Sequence, residues 1–83
     1  MFTVYAIQSL SIKRIYIGQT KDLNKRLQYH NLGYVKSTSR NRPWDLIAFV
    51  RFRSSSEARW TERELKKSRG KRIEWVEQNR LVK

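Results

Sequence analysis

A short strand that runs directly into a capped helix, between Tyr16 and Asn31, is the feature that most constrains the fold of this chain. Residues 16–18 favour β-structure and end at a glycine, and Asp22 stands where its side-chain oxygen can accept a hydrogen bond from the first turn of a helix. Leu23 and Leu27 lie four residues apart and form a narrow apolar stripe. The stretch therefore predicts a strand followed by a helix over residues 22–31 that packs on a sheet.

The same helix carries a cation and an imidazole on one face. Arg26 and His30 are also four residues apart, so their side chains project together just round the helix from the apolar stripe. Gly33 supplies the left-handed residue that commonly follows a last turn. A single histidine is ordinarily a packing residue, but the spacing from Arg26 favours a shared cleft. Two such donors suit a phosphate group.

Two strands are predicted at the start of the chain, over residues 2–8 and 13–19, joined as an antiparallel hairpin. Alternation places Tyr5 on the face opposite Val4, and Tyr16 on the face opposite Ile17. Tyr5 and Tyr16 then share a face of the hairpin. These two rings fit two interpretations, ordinary aromatic packing on a sheet and a pair of functional side chains.

A third strand is predicted over residues 44–53, directly after a proline. Its apolar residues fall on both faces. Simple alternation places Leu46, Ala48 and Val50 on one face, and Ile47 and Phe49 on the other. Such a strand indicates a sheet that is covered by helices on each side.

A second helix is predicted over residues 55–68, and a third over residues 71–79. Ser54, with Glu57 three residues later, forms a capping-box pattern at the start of the second helix. Ala58, Glu62 and Leu65 fall on its inward face. A carboxylate there is costly unless it is paired or binds a cation. Glu62 is therefore either the salt-bridge partner of a basic neighbour or a metal ligand.

Length and composition limit the architecture and the chemistry. Eighty-three residues form one domain at most, which we place at residues 1–83, and hydrophobic residues make up 39% of the chain, enough for a small core. The sequence contains no cysteine, so disulfides and thiolate metal sites are excluded. A metal would need oxygen or imidazole ligands.

The charge of the chain indicates a polyanionic partner. Nineteen Lys and Arg against seven Asp and Glu give a formal net charge of +12. Such a field attracts polyanions and opposes compaction through self-repulsion, so nucleic acid is the leading partner. A membrane partner is not expected, because the sequence has no long apolar run, no signal-peptide pattern and no basic helix with a wide apolar face. A cytoplasmic location is the default.

The segment over residues 34–42 adds to this charge. It holds three basic residues and no acidic residue. The segment is either a solvated connector or, beside a phosphate site, a surface that holds the backbone of a nucleic acid. Lys36 and Arg40 are its candidate contacts.

The order of motifs along the chain resembles that of the GIY-YIG nuclease family, and the chain is similar to the small stand-alone bacterial type. The motifs are Val4-Tyr5, Tyr16-Ile17-Gly18, Arg26 with His30-Asn31, and an Ala-x-x-x-Glu-x-x-Leu-Lys pattern at Ala58, Glu62, Leu65 and Lys66. Thr3 stands where the family has its first glycine, a departure that alters packing rather than chemistry. The resemblance spans residues 3–67, and the ordered set is more specific than any one element.

The resemblance implies an α+β fold with a three-stranded antiparallel sheet flanked by helices in the order β-β-α-β-α-α. It also implies an endonuclease in which Glu62 holds one divalent ion, Mg²⁺ or Mn²⁺, and Arg26 stabilises the phosphate in the transition state. Tyr5 or Tyr16 would activate a water, and His30 is the second candidate for a base or phosphate contact. The expected nucleic-acid contacts are Gly18, Thr20, Lys25, Asn31, Lys36, Thr38, Arg40 and Lys66.

The expected substrate is nucleic acid, with DNA favoured over RNA and a role in DNA repair or recombination, and the protein is expected to be a monomer or weak dimer. The main alternative is a catalytically inactive binding module of the same fold. Such a module would be expected to lack Arg26 or Glu62, and the chain has both. A small ribosome-associated basic protein would explain the charge but not an acid on an inward face.

Overall fold

The sheet is organised around its first strand. The structure is a computed structural model that describes residues 1–82. Strand β1 (Phe2–Ser9) lies between β2 (Ile15–Thr20) and β3 (Trp44–Phe52), and both pairings are antiparallel. The helices are α1 (Leu23–Leu32), α2 (Ser55–Lys67) and α3 (Arg69–Asn79). The predicted α+β fold and its β-β-α-β-α-α order are confirmed.

The ends of the helices follow their capping side chains. The carboxylate of Asp22 and the hydroxyl of Ser54 accept hydrogen bonds from the first turns of α1 and α2, and Gly33 ends α1 with a φ of 83°. The hydroxyl of Ser68 caps α3, which begins at Arg69 rather than at the predicted residue 71. Within residues 1–82 none of the helices has the length and apolar character needed to cross a membrane.

Two apolar layers cover opposite faces of the sheet. One layer joins α2 and α3 to the sheet through Val4, Ala6, Ile17, Ile47, Ala48, Ala58, Leu65 and Val76. The other places α1 over Tyr5, Ile7 and Trp44, with Tyr16, Leu23, Leu27, Leu46 and Phe49 packed against them. The predicted alternation of β1 and the shared face of Tyr5 and Tyr16 are confirmed. The apolar stripe of α1 also packs on the sheet as predicted.

Strand β3 departs from simple alternation. Its pairing with β1 shifts by one residue at Ile47, as in a β-bulge. The consecutive residues Ile47 and Ala48 therefore pack in the same apolar layer, whereas Leu46 and Phe49 pack in the other. The prediction placed Leu46, Ala48 and Val50 on one face and Ile47 and Phe49 on the other. It is wrong for Leu46 and Ile47, because one extra residue interrupts the period of two, whereas Ala48 and Phe49 lie on opposite faces as predicted.

Gly18 leaves room for the side chain of Tyr5. The two residues are directly paired across β1 and β2. A Cβ atom on Gly18 would lie 2.5 Å from the hydroxyl oxygen of Tyr5 and 2.7 Å from its Cζ. Because the Tyr5 side chain is buried, it cannot swing away without losing its packing. Position 18 therefore requires glycine, because the Tyr5 ring occupies the space that a Cβ atom would need.

We expect Gly18→Ala to destabilise the fold by about 1–3 kcal/mol, because the new methyl group would displace a buried ring. Gly70→Ala is the matched control. Its Cβ would meet its nearest neighbour, Ser68 Oγ, at 3.9 Å, and it lies within α3. This control should retain or gain stability, by up to about 1 kcal/mol. Urea denaturation measures both, and equal stability of the two variants would contradict the packing of Tyr5 over Gly18.

Candidate active site

A chain of buried hydrogen bonds runs inward from β1. The hydroxyl of Tyr5 lies 2.8 Å from His30 Nε2, and His30 Nδ1 lies 2.7 Å from Thr38 Oγ1. The Thr38 hydroxyl lies 3.3 Å from the carbonyl oxygen of Val35, which can accept but not donate. Thr38 therefore donates to Val35 and accepts from His30 Nδ1–H. Nε2 then carries no proton and accepts from Tyr5.

Burial fixes the protonation of both rings. It raises the pKa of Tyr5 to about 12, although the nearby Arg26 guanidinium opposes this shift. Burial, reinforced by the charge of Arg26, lowers the pKa of His30 to about 4. Both side chains are therefore neutral at neutral pH. His30 acts on its surroundings as a neutral hydrogen-bonding ring rather than as a cation.

Tyr16 lies where the two layers meet, on the edge strand β2. Its ring meets His30 edge-on, with 5.2 Å between ring centres, and meets Trp44 at 6.3 Å. From α2, Lys66 Nζ lies 5.8 Å from the centre of the same ring. Trp44 is itself held by a 2.8 Å hydrogen bond from its indole to the Thr38 carbonyl. Residues from both sides of the sheet thus reach one tyrosine.

An open cleft of about 870 Å³ lies against Tyr16 and Arg26, and we call it the Arg26 cleft. Its other wall is the loop between α1 and β3, including Lys36 and Arg40. The Nε atom of Arg26 is buried and has no hydrogen-bond partner among residues 1–82. A buried donor without a partner is costly. Because Arg26, Lys36 and Arg40 all line the cleft, it suits an anion.

Glu62 lies on α2, outside the lining of the Arg26 cleft, and lines an open pocket together with Lys66. Its side chain is 18% exposed, and Oε2 lies 3.1 Å from Lys66 Nζ. Burial is the main cause of the raised pKa of Tyr5, and the charge of Glu62 is the smallest of its causes. Within residues 1–82 no group of three or more His, Cys, Asp or Glu side chains could hold a metal. A metal here would rely on Glu62 together with waters and a bound ligand.

The residues predicted to contact nucleic acid fall into two groups. Four are engaged within the protein: Gly18 lies beneath Tyr5, Thr38 binds His30, Thr20 binds the backbone of Asp22, and Asn31 binds the backbone of Trp44 at 2.6 and 3.0 Å. The other four are exposed cations: Lys25, Lys36, Arg40 and Lys66. Of these, Lys36 and Arg40 line the Arg26 cleft.

Two arginines that the sequence did not single out border the site. Arg14 and Arg72 line a cavity of about 230 Å³ together with Tyr16 and Lys66, and we call it the Arg14 cavity. Arg72 also donates a 3.0 Å hydrogen bond to the carbonyl of Leu65 near the end of α2. These residues come from distant parts of the chain. No local pattern could have grouped them, because the topology alone brings them together.

The site places Tyr16, Arg26 and a basic loop around an open cleft beside a small sheet, an arrangement that suits an anion such as phosphate. A family model described as the GIY-YIG catalytic domain matches residues 1–75, so the chain belongs to this family. The family consists of phosphodiester-cleaving endonucleases that generally depend on a divalent metal, which gives this chain a nuclease-type domain with nucleic acid as substrate. A comparison with curated proteins found no match.

Acidification should destabilise the protein through His30. Its pKa is about 4 when folded and 6.5 in the unfolded chain, so between these values the unfolded state binds the proton. The contribution of neutral His30 to the free energy of unfolding is complete above pH 6.5. It is lost as the pH falls towards 4, by about 3 kcal/mol in total. Urea denaturation between pH 7 and pH 4.5 measures the slope.

His30→Gln provides the control for this measurement. It removes the titrating ring, and His30 is the sole histidine in the sequence. The variant should be less stable than wild type at pH 7 but should lose less stability on acidification. If the free energy of unfolding fell equally with pH in wild type and in His30→Gln, a buried, neutral His30 would be contradicted.

Proposed function

We propose that this protein is a metal-dependent endonuclease that hydrolyses phosphodiester bonds of nucleic acid, with DNA as the favoured substrate. The observation that carries the proposal is the open cleft in which Arg26 lies together with Tyr16, Lys36 and Arg40. Family membership and the net charge of +12 support it.

Arg26 is the residue that we assign to the scissile phosphate. Its planar guanidinium can donate two hydrogen bonds to non-bridging oxygens, where negative charge grows in the transition state. Lys36 and Arg40, on the opposite wall of the cleft, would hold the neighbouring backbone. This assignment favours the binding interpretation of the loop over that of a solvated connector.

Tyr5 and Tyr16 are the groups that we assign to the attacking water. The Tyr5 hydroxyl donates its hydrogen bond to His30 Nε2 and is also hydrogen-bonded by the Arg26 guanidinium, so a role for Tyr5 at the water would require Arg26 to release it. Tyr16 lines the Arg26 cleft and can orient the water from the other side.

Glu62 is the residue that would hold the divalent ion. A single carboxylate fits Mg²⁺ or Mn²⁺, since Mg²⁺ usually keeps several waters and is bound through one or two carboxylates and substrate phosphates. When bound, the ion would supply Lewis-acid stabilisation of charge on the phosphate oxygens. The half-buried position of Glu62 would keep this carboxylate in place for it.

The inward-facing residues take a positioning role in this proposal. Thr38 and Asn31 connect α1 to the loop and to the start of β3, so they fix the wall that carries Lys36 and Arg40. Gly18 allows Tyr5 to reach His30. Their contribution to nucleic-acid binding would therefore pass through the shape of the cleft.

A binding module without turnover is the second candidate, and one observation favours it. Glu62 is paired with Lys66, as a purely structural ion pair would be. The two candidates differ in what happens when the charge of Glu62 is removed. An i,i+4 helix pair whose ammonium is half exposed contributes little stability, about 0.3–0.5 kcal/mol.

Glu62→Gln should abolish metal-dependent cleavage, by at least about 100-fold, while binding stays within about threefold of wild type. Arg26→Ala should lower cleavage as strongly, because the interaction made with the transition state is lost. The measurement is cleavage and binding of labelled DNA and RNA duplexes, flaps and single strands, with and without Mg²⁺ or Mn²⁺.

Glu64→Gln is the matched control for Glu62→Gln. Glu64 is also a carboxylate on α2, but it pairs with Lys67 and Lys71. This variant should cleave as wild type does. If wild type cleaves none of the substrates and Glu62→Gln instead unfolds the protein, Glu62 is a structural partner and the binding module is the correct function.

A further inference from the structure

Lys66 holds the carboxylate of Glu62 in an ion pair from one helical turn away. The 3.1 Å contact joins Lys66 Nζ to Glu62 Oε2, and the two side chains are 51% and 18% exposed. The same ammonium lies 5.8 Å from the centre of the Tyr16 ring. A positive charge of the protein itself therefore stands at one oxygen of the carboxylate that would hold a divalent ion.

An ammonium and a divalent ion cannot share this oxygen without repulsion. A metal bound to a carboxylate lies about 2.0–2.6 Å from the oxygen, closer than the ammonium does. Two cations at such separations repel, and the repulsion is weakened but not removed by solvent. Because an exposed ion pair is weak, the ammonium can be displaced. Lys66 would therefore weaken metal binding to Glu62 without preventing it.

We propose that Lys66 competes with the divalent ion for Glu62, so that metal binding to the protein requires displacement of the ammonium. The inference rests on the proposed function, because it takes Glu62 to be the metal ligand. It gives Lys66 control over metal binding, in addition to its expected contact with nucleic acid.

The displaced ammonium has a second place to go. Lys66 lines the Arg14 cavity, together with Arg14 and Arg72, and the residues that line this cavity include no carboxylate. A phosphate of the nucleic acid in this cavity would attract the ammonium away from Glu62. Binding of nucleic acid and binding of metal would then favour one another, because coupling between two sites is reciprocal.

The test is Mn²⁺ binding to the whole protein without nucleic acid, measured from the electron paramagnetic resonance signal of free Mn²⁺. Lys66→Met keeps the apolar stem and removes the charge, so it should bind Mn²⁺ about threefold to tenfold more tightly than wild type. Lys66→Arg keeps the charge and should bind as wild type does.

Lys67→Met is the matched control. It removes one positive charge from the same turn of α2, but Lys67 pairs with Glu64 at 3.3 Å. Its affinity for Mn²⁺ should change by less than about twofold. A gain in Lys66→Met no larger than that in Lys67→Met, or no gain at all, would overturn the competition.

Glu62→Gln separates failure of this inference from failure of the proposed function. Loss of Mn²⁺ binding in this variant supports Glu62 as the ligand, and the Lys66 variants then decide the competition alone. Unchanged Mn²⁺ binding in Glu62→Gln would overturn the metal site itself, and the inference with it.

Discussion

The hydrogen-bond chain from Tyr5 through His30 to Thr38 is the interaction on which the rest of the site depends. It ties Tyr5 of β1 to His30 of α1, which lies 25 residues further along the chain, and ties α1 to the loop before β3. His30 and Thr38 are both fully buried, so each polar atom left without a partner would cost about 1–3 kcal/mol. The three residues must therefore be placed together. Gly18 follows from the same requirement, since a side chain there would collide with Tyr5.

The second constraint is that the site lies at an edge strand. In the centre of a sheet, the strand itself separates the groups on its two faces. At β2 this separation ends, so Tyr16 contacts His30 of the α1 layer and also lies beneath Lys66 of α2. Arg26 and Glu62 come from helices on opposite faces of the sheet, and the proposed function requires both to act on one substrate. Glu62 pairs with Lys66, and within residues 1–82 the buried Nε of Arg26 has no hydrogen-bond partner.

Local rules predicted much of this structure. The caps at Asp22 and Ser54 and the alternation of β1 depend on neighbours in sequence, so the sequence predicts them correctly. The sequence does not predict the bulge at Ile47, because one extra residue in an apolar strand leaves its composition unchanged. The pairing of Arg26 with His30 on one face was predicted, but the complete burial of His30 depends on Tyr5 and Thr38. The grouping of Arg14 with Arg72 likewise needs the assembled fold.

The nitrogen chemical shifts of the His30 ring test the central claim most directly. The sequence contains one histidine, so its two ring nitrogens give signals that need no further assignment. The buried chain predicts a neutral ring at pH 7 with the proton on Nδ1 and an unprotonated Nε2, which persists until the pH falls towards about 4. A protonated imidazolium at pH 7, or a ring with its proton on Nε2, would contradict it.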